Sequence, residues 1–189
     1  MEKPWLLIDV DGVLNPEPLI RRSVKEVPPE FAERGFELHK IKPKGFTRFF
    51  QVGLSPEHGR MLLAMQDVFQ LGWATTWEDE ANTKIGPKIG LPKLPYAKVS
   101  ERGDKAQGVR ELVGSTPFAW LDDMHYWHGG SEFTDDPNAL LVAVNPEIGL
   151  TKANLALARI WALGLPVALA CPECGYYRDT PNHELGCGR

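Results

Sequence analysis

Two aspartates one residue apart, in the segment Asp9-Val10-Asp11-Gly12-Val13-Leu14-Asn15, directly follow the apolar run Trp5-Leu6-Leu7-Ile8. A carboxylate can attack phosphorus to form an acyl phosphate. A second carboxyl within reach can protonate the leaving oxygen and later deprotonate water. A strand that unwinds into a glycine-containing turn lets both side chains face one pocket, so Asp9 suits the first task and Asp11 the second. A second acidic pair, Asp122-Asp123, ends the run Phe118-Ala119-Trp120-Leu121. Carboxylates gathered in this way repel one another unless a hard divalent cation sits among them, and carboxylate and water oxygens suit magnesium. Thr75 can donate its hydroxyl to a phosphoryl oxygen, and Lys105 can neutralise the charge of phosphate and nucleophile. An Asp-Gly pair alone often marks only a turn, and an Asp-Asp pair often only caps a helix. The chemistry therefore depends on both pairs ending strands of one sheet.

The elements that must place them are legible as an alternation. Trp5 to Ile8, bounded by Pro4 and Asp9, has the continuous apolar character of a strand buried on both faces of a parallel sheet. Residues 16–50 carry many prolines, basic residues and aromatics without a helical period, and read as an insertion with a hairpin or flap that adds little to the core. Ser55 and Pro56 start a helix whose stripe is Met61, Leu62, Met65, Val68 and Phe69. Leu71 to Ala74 is a strand leading into Thr75 and Thr76, followed by a polar helix from about Glu78 that Pro87 limits. A helix over Asp104 to Val113, strands at Phe118 to Leu121 and Leu140 to Val144, and a helix capped by Thr151 and stopped at Gly164 complete the series. This pattern predicts an α/β domain with a parallel sheet, and ligands bind beyond the carboxyl ends of such strands, where Asp9, Thr75 and Asp122 fall.

In that order, the DVDGVLN segment from Asp9, Ala74-Thr75-Thr76, Lys105 and Trp120-Leu121-Asp122-Asp123 resemble the four motifs of haloacid dehalogenase superfamily phosphatases. The resemblance spans roughly residues 1–165. It implies a Rossmann-like parallel sheet with helices on both faces, an aspartyl-phosphate mechanism and catalytic magnesium. By the resemblance Asp9 is the nucleophile, Asp11 the acid/base that also offers its backbone carbonyl to magnesium, and Asp122, with Asp123 beside it, supplies the further metal carboxylates. Thr75 and Lys105 would hold phosphate, with Thr76 and Lys98 as alternatives of the same type. The stretch Trp73 to Asn82 is further similar to small-cap bacterial members, some of them associated with RNA-repair proteins.

The chain has 189 residues, 43% of them hydrophobic, and a formal charge of −4. One core is expected, and non-specific nucleic-acid binding by the chain as a whole is disfavoured. With Asp9 so near the start there is no room for a cleavable leader, and no apolar run spans a bilayer, so a cytoplasmic protein is expected. A basic and aromatic island nevertheless runs through Arg34, Phe36, Lys40, Lys42, Lys44, Phe46 and Arg48. It reads first as a solvated hairpin face over packed aromatics, and otherwise as a surface that tracks phosphates and stacks bases. Its substrate would be a phosphorylated small molecule or a nucleic-acid end. A nucleic-acid-binding or adaptor module with vestigial catalysis is the competing class. His125 and His128 read as ordinary loop histidines near the site mouth. Beyond residue 169, Cys171-x-x-Cys174 with His183 and Cys187 matches a closed, structural zinc knuckle over residues 170–189.

Overall fold

Leu6, Leu7 and Ile8 are fully buried because β1 (Trp5–Ile8) lies inside a parallel sheet enclosed on both faces. The computed structural model describes residues 2–21 and 24–164. The sheet has four strands: β1, β4 (Gln70–Trp73), β5 (Phe118–Asp122) and β6 (Ala139–Ala143), in the order β4-β1-β5-β6. Ile8 registers with Trp73 on one side and Leu121 on the other, and Asp122 registers with Ala143. The chain thus winds first one way from β1 and then the other. The reversal falls between β1 and β5, the place in an open α/β sheet where a crevice forms beyond the strand ends.

Alternate side chains of β1 serve opposite cores, as strand periodicity requires. Leu6 and Ile8 pack with Leu62, Met65 and Phe69 from α3 (Pro56–Leu63) and the turn after it, and with Leu155 and Ala158 of α6 (Lys152–Ala162). Leu7 packs on the other face with Val109 and Val113 of α5 (Ala106–Val113), and with Trp120 and Phe133. The caps explain where the helices begin. The Ser55 hydroxyl accepts from Glu57 N at 3.2 Å, and Thr151 and Asn154 form a reciprocal capping box. No helix among the described residues is long and apolar enough to cross a membrane.

Two expectations need correction. The insertion was expected to contribute little to the core. Its short helices α1 (Glu17–Arg21) and α2 (Pro29–Ala32) lead to an antiparallel hairpin of β2 (Glu37–Ile41) and β3 (Phe50–Leu54) that runs past residue 50; Ile41 within the insertion, and Val52 and Leu54 just beyond it, join the main core. Leu19, Phe31 and Phe36 make a smaller cluster beneath. The inward face alternates along the hairpin, so its few apolar positions do not form a run. Nor does Pro87 end the helix after β4. A π-helical turn over Ala81–Ile85 runs into α4 (Gly86–Ile89), where Pro87 occupies the first turn and needs no intrahelical N–H bond, and Gly90 at φ 79° closes it. The zinc-knuckle residues and the expected boundary at residue 169 lie outside the described residues.

Candidate active site

Asp9 is placed by one hydrogen bond beyond the end of β1, from its own N–H to Leu121 O at 3.0 Å, which sets it beside Asp122 at the end of β5. The chain then turns tightly. The Val10 carbonyl accepts from the amides of Val13, Leu14 and Asn15 at 3.2, 2.8 and 2.9 Å, and Gly12 adopts φ 75°. A Cβ on Gly12 would lie 2.3 Å from Asp123 Cγ, so the Asp123 carboxylate fills the space that the glycine leaves.

Lys105 sits at the entry to α5, on the crossover that leads to β5, and is fully buried. Its Nζ donates to Asp9 Oδ2 at 2.6 Å and to Asp122 Oδ2 at 2.7 Å. One ammonium therefore bridges the two strand-end carboxylates. Asp122 has further partners: Met124 N donates to Oδ1 at 2.7 Å, and His128 Nδ1 lies 2.9 and 3.0 Å from its two oxygens. Beyond Lys105, Asp9 receives, among the described residues, only its neighbour's amide, Val10 N to Oδ1 at 2.7 Å, and His128 Nδ1 stands 4.0 Å away.

This unequal sharing decides the electrostatics. Burial pushes the Asp9 carboxyl up to about 7; the Lys105 charge opposes it, and Asp122 reinforces it. Burial would raise Asp122 as well, but the His128 hydrogen bond and Lys105 outweigh it and hold Asp122 well below the usual carboxylate range. For Lys105, burial is outweighed by Asp9 and Asp122, so its ammonium is favoured. Burial and then Asp122 also raise Asp123. Lys105 and the His128 hydrogen bond thus hold Asp122 down, while at Asp9 burial prevails over Lys105.

Asp11 is held separately. Its Oδ1 accepts from Asn15 Nδ2 at 2.7 Å and its Oδ2 from Trp77 Nε1 at 2.9 Å, while Asn15 Oδ1 accepts from Gly53 N of β3 at 2.8 Å. Thr75 is buried just past β4, where Ala74 N donates to Ile8 O at 2.9 Å, and Thr76 is exposed. Lys98 is exposed, with its backbone against Gly108, while Lys105 is the lysine brought to the aspartates. The histidines divide. His125 Nε2 pairs with Trp120 O at 3.0 Å, its ring is edge-on to Trp120, and burial lowers its pKa. His128 differs from an ordinary loop histidine because it lies on Asp122. Trp77 is a member of the site that the sequence reading missed, and His128 is one it placed near the mouth without a role. The cue for Trp77 was an indole N–H in a polar turn two residues past Thr75.

The donors fit a magnesium ion on charge and chemistry. Asp9, Asp122 and Asp123 offer hard carboxylate oxygens, the donor type magnesium prefers. Atoms of Asp9, Asp122 and His128 lie within 4.8 Å of one another.

Compared by sequence, the chain matches no protein-family profile and no curated protein. Compared by fold, it is similar to a variant of the fission yeast RNA polymerase II CTD phosphatase Fcp1 bound to beryllium fluoride, at a TM-score of 0.43 and 15% identity. That likeness covers 87% of this chain and 50% of the other, so the chain spans half the length of that protein, at a distance too great to bear on activity.

Proposed function

We propose that the chain is a magnesium-dependent phosphomonoesterase of the haloacid dehalogenase type, working through an aspartyl phosphate on Asp9. The observation that carries this reading is the buried Lys105 ammonium bridging Asp9 and Asp122 at 2.6 and 2.7 Å, at the switch point of a parallel sheet. Support also comes from Asp11, whose carboxylate is oriented independently of that bridge by Asn15 and Trp77.

An Asp9 oxygen attacks the phosphorus of a monoester, and the bond from phosphorus to the leaving oxygen breaks as Asp11 gives that oxygen its proton. Asp11, now ionised, takes a proton from water. The water oxygen attacks the phosphorus of the aspartyl phosphate, which releases inorganic phosphate and restores the Asp9 carboxylate. Lys105 screens nucleophile and phosphoryl charge, and the Thr75 hydroxyl donates to a phosphoryl oxygen. Asp9, Asp122, Asp123 and the Asp11 backbone carbonyl would hold magnesium, which when bound supplies the positive charge that keeps Asp9 ionised and stabilises the phosphoryl oxygens. His128 acts through Asp122, and Trp77 through Asp11, as positioning residues. The substrate is a phosphorylated small molecule or a nucleic-acid end.

Phosphate release from para-nitrophenyl phosphate and from mononucleotides, titrated with magnesium, tests the proposal beside Asp9→Asn. Magnesium-dependent release that falls on the order of a thousandfold or more in Asp9→Asn is expected. Oligonucleotide binding without phosphate release from any ester would favour the adaptor reading.

A further inference from the structure

The loop joining β2 to β3 bends over the helical segment that follows β4, and the Lys44 amide donates to both Glu80 oxygens, at 3.0 and 2.9 Å. Between loop and helix lies a cleft of about 710 Å³ whose lining includes Lys42, Lys44, Lys84, Phe46, Thr47 and Thr83. The ammonium groups of Lys42, Lys44 and Lys84 make no ion pair or hydrogen bond with any described residue. Glu80, the carboxylate in the lining, is committed to the Lys44 amide. Three lysines and one carboxylate line this cleft, so it keeps an excess of two positive charges in a chain whose net charge is −4.

The aromatics around it are presented to solvent. Phe46 is 52% exposed and Phe49 64% exposed, well above the other phenylalanines of the hairpin region. Phe46 is held edge-on against Phe50 at 5.0 Å, and the Arg48 guanidinium stands 5.2 Å over the Phe50 ring. Glu80 of the lining is linked to Asp11 through Trp77. Glu80 N donates to Trp77 O at 2.9 Å, and the Trp77 indole donates to Asp11.

We infer that this cleft binds single-stranded nucleic acid, with backbone phosphates on Lys42, Lys44 and Lys84 and a base stacked on Phe46, so that the strand's terminal phosphate reaches Asp9. The assignment of the terminal phosphate rests on the phosphomonoesterase reading; strand binding does not. An acidic or phosphorylated peptide would satisfy the lysines but leave the exposed phenylalanines without flat partners, whereas bases supply a π-face at every step. A duplex keeps its base faces stacked inside and offers the phenylalanines nothing.

Binding of a fluorescein-labelled, 5′-phosphorylated oligothymidylate of about ten residues to the Asp9→Asn protein, measured by anisotropy across a range of potassium chloride, tests the strand alone. Affinity should fall with salt at a slope of about −0.7 per lysine engaged. The double variant Lys42→Gln/Lys84→Gln should flatten that slope by about 1.4, and Phe46→Ala should weaken binding about tenfold. The same cleft substitutions in the otherwise wild-type chain should leave para-nitrophenyl phosphate hydrolysis unchanged and lower kcat/KM for the oligonucleotide about tenfold. Circular dichroism and melting curves verify that these surface variants fold. Unchanged affinity and slope in folded variants would overturn the inference, as would tighter binding of a phosphopeptide of equal charge. If no ester is hydrolysed but the cleft variants still lose strand binding, the phosphatase reading fails and the cleft stands.

Discussion

Lys105 is shared almost equally, by distance, between Asp9 and Asp122, yet the two carboxyls move in opposite directions: at Asp9 burial outweighs Lys105, whereas at Asp122 the His128 hydrogen bond joins Lys105 and outweighs burial. A nucleophile left short of compensating charge is one that a bound cation can switch on, and a carboxylate already compensated is one that can wait, ionised, beside it. Asp11 is tuned by geometry instead. The Trp77 indole fixes one oxygen and Asn15 the other, so the carboxyl keeps one orientation toward the leaving group. Trp77→Phe should lower kcat for alkyl phosphates about tenfold through the lost hydrogen bond. Para-nitrophenyl phosphate, whose leaving oxygen needs no proton, should change by less than about twofold in the first step. Steady-state rates on the two ester classes check this, and equal losses on both would assign Trp77 a merely structural role. Asp9 and Asp122 were legible because each ends an apolar run. The Trp77 contact was not, since it joins residues 66 positions apart and exists only once β1 and β4 lie side by side.

Helix α3 shows the element scale. Its sequence cap was read from Ser55 and Pro56, and the helix begins there. What the sequence hid is a histidine within its buried face: His58 lies edge-on to Phe36 at 5.1 Å, with Nδ1 unpaired among the described residues. Burial, and then the Arg34 charge, depress His58 to about 4 from an ordinary 6.5. The unfolded chain therefore takes up this proton first, and the stability present above pH 6.5 is lost as the pH falls toward 4. The full loss is roughly 3 kcal/mol. Urea unfolding at neutral pH and near the lower end of that window should show it, and His58→Leu should flatten the dependence. A variant whose midpoint falls with acid as steeply as the wild type's would remove His58 as the cause. The π-turn before Pro87 was illegible for a related reason: a local shift of hydrogen-bond register leaves no mark on apolar spacing.

For the whole molecule, the alternation of strands and helices was enough to read an α/β sheet, because a parallel sheet buried on both faces gives short apolar runs at each strand. The hairpin's share of the core was not legible, since Ile41, Val52 and Leu54 meet the sheet only after the intervening loops close. The four ligands of the cysteine-rich tail remain a proposal from sequence: Cys171, Cys174, His183 and Cys187 should hold about one equivalent of zinc in a closed tetrahedral set. Elemental analysis of protein purified without chelator checks it, and a metal-free chain with three freely titrating thiols would refute it. The central claim is covalent phosphoryl transfer to Asp9, and trapping that group is its most direct test. Protein mixed with magnesium and a phosphomonoester, quenched in acid within a turnover and mapped by mass spectrometry, should carry one acid-stable, base-labile phosphoryl group on the peptide containing Asp9. Asp9→Asn should carry none. Phosphate release that persists in Asp9→Asn, with no adduct on that peptide in the wild type, would contradict the account.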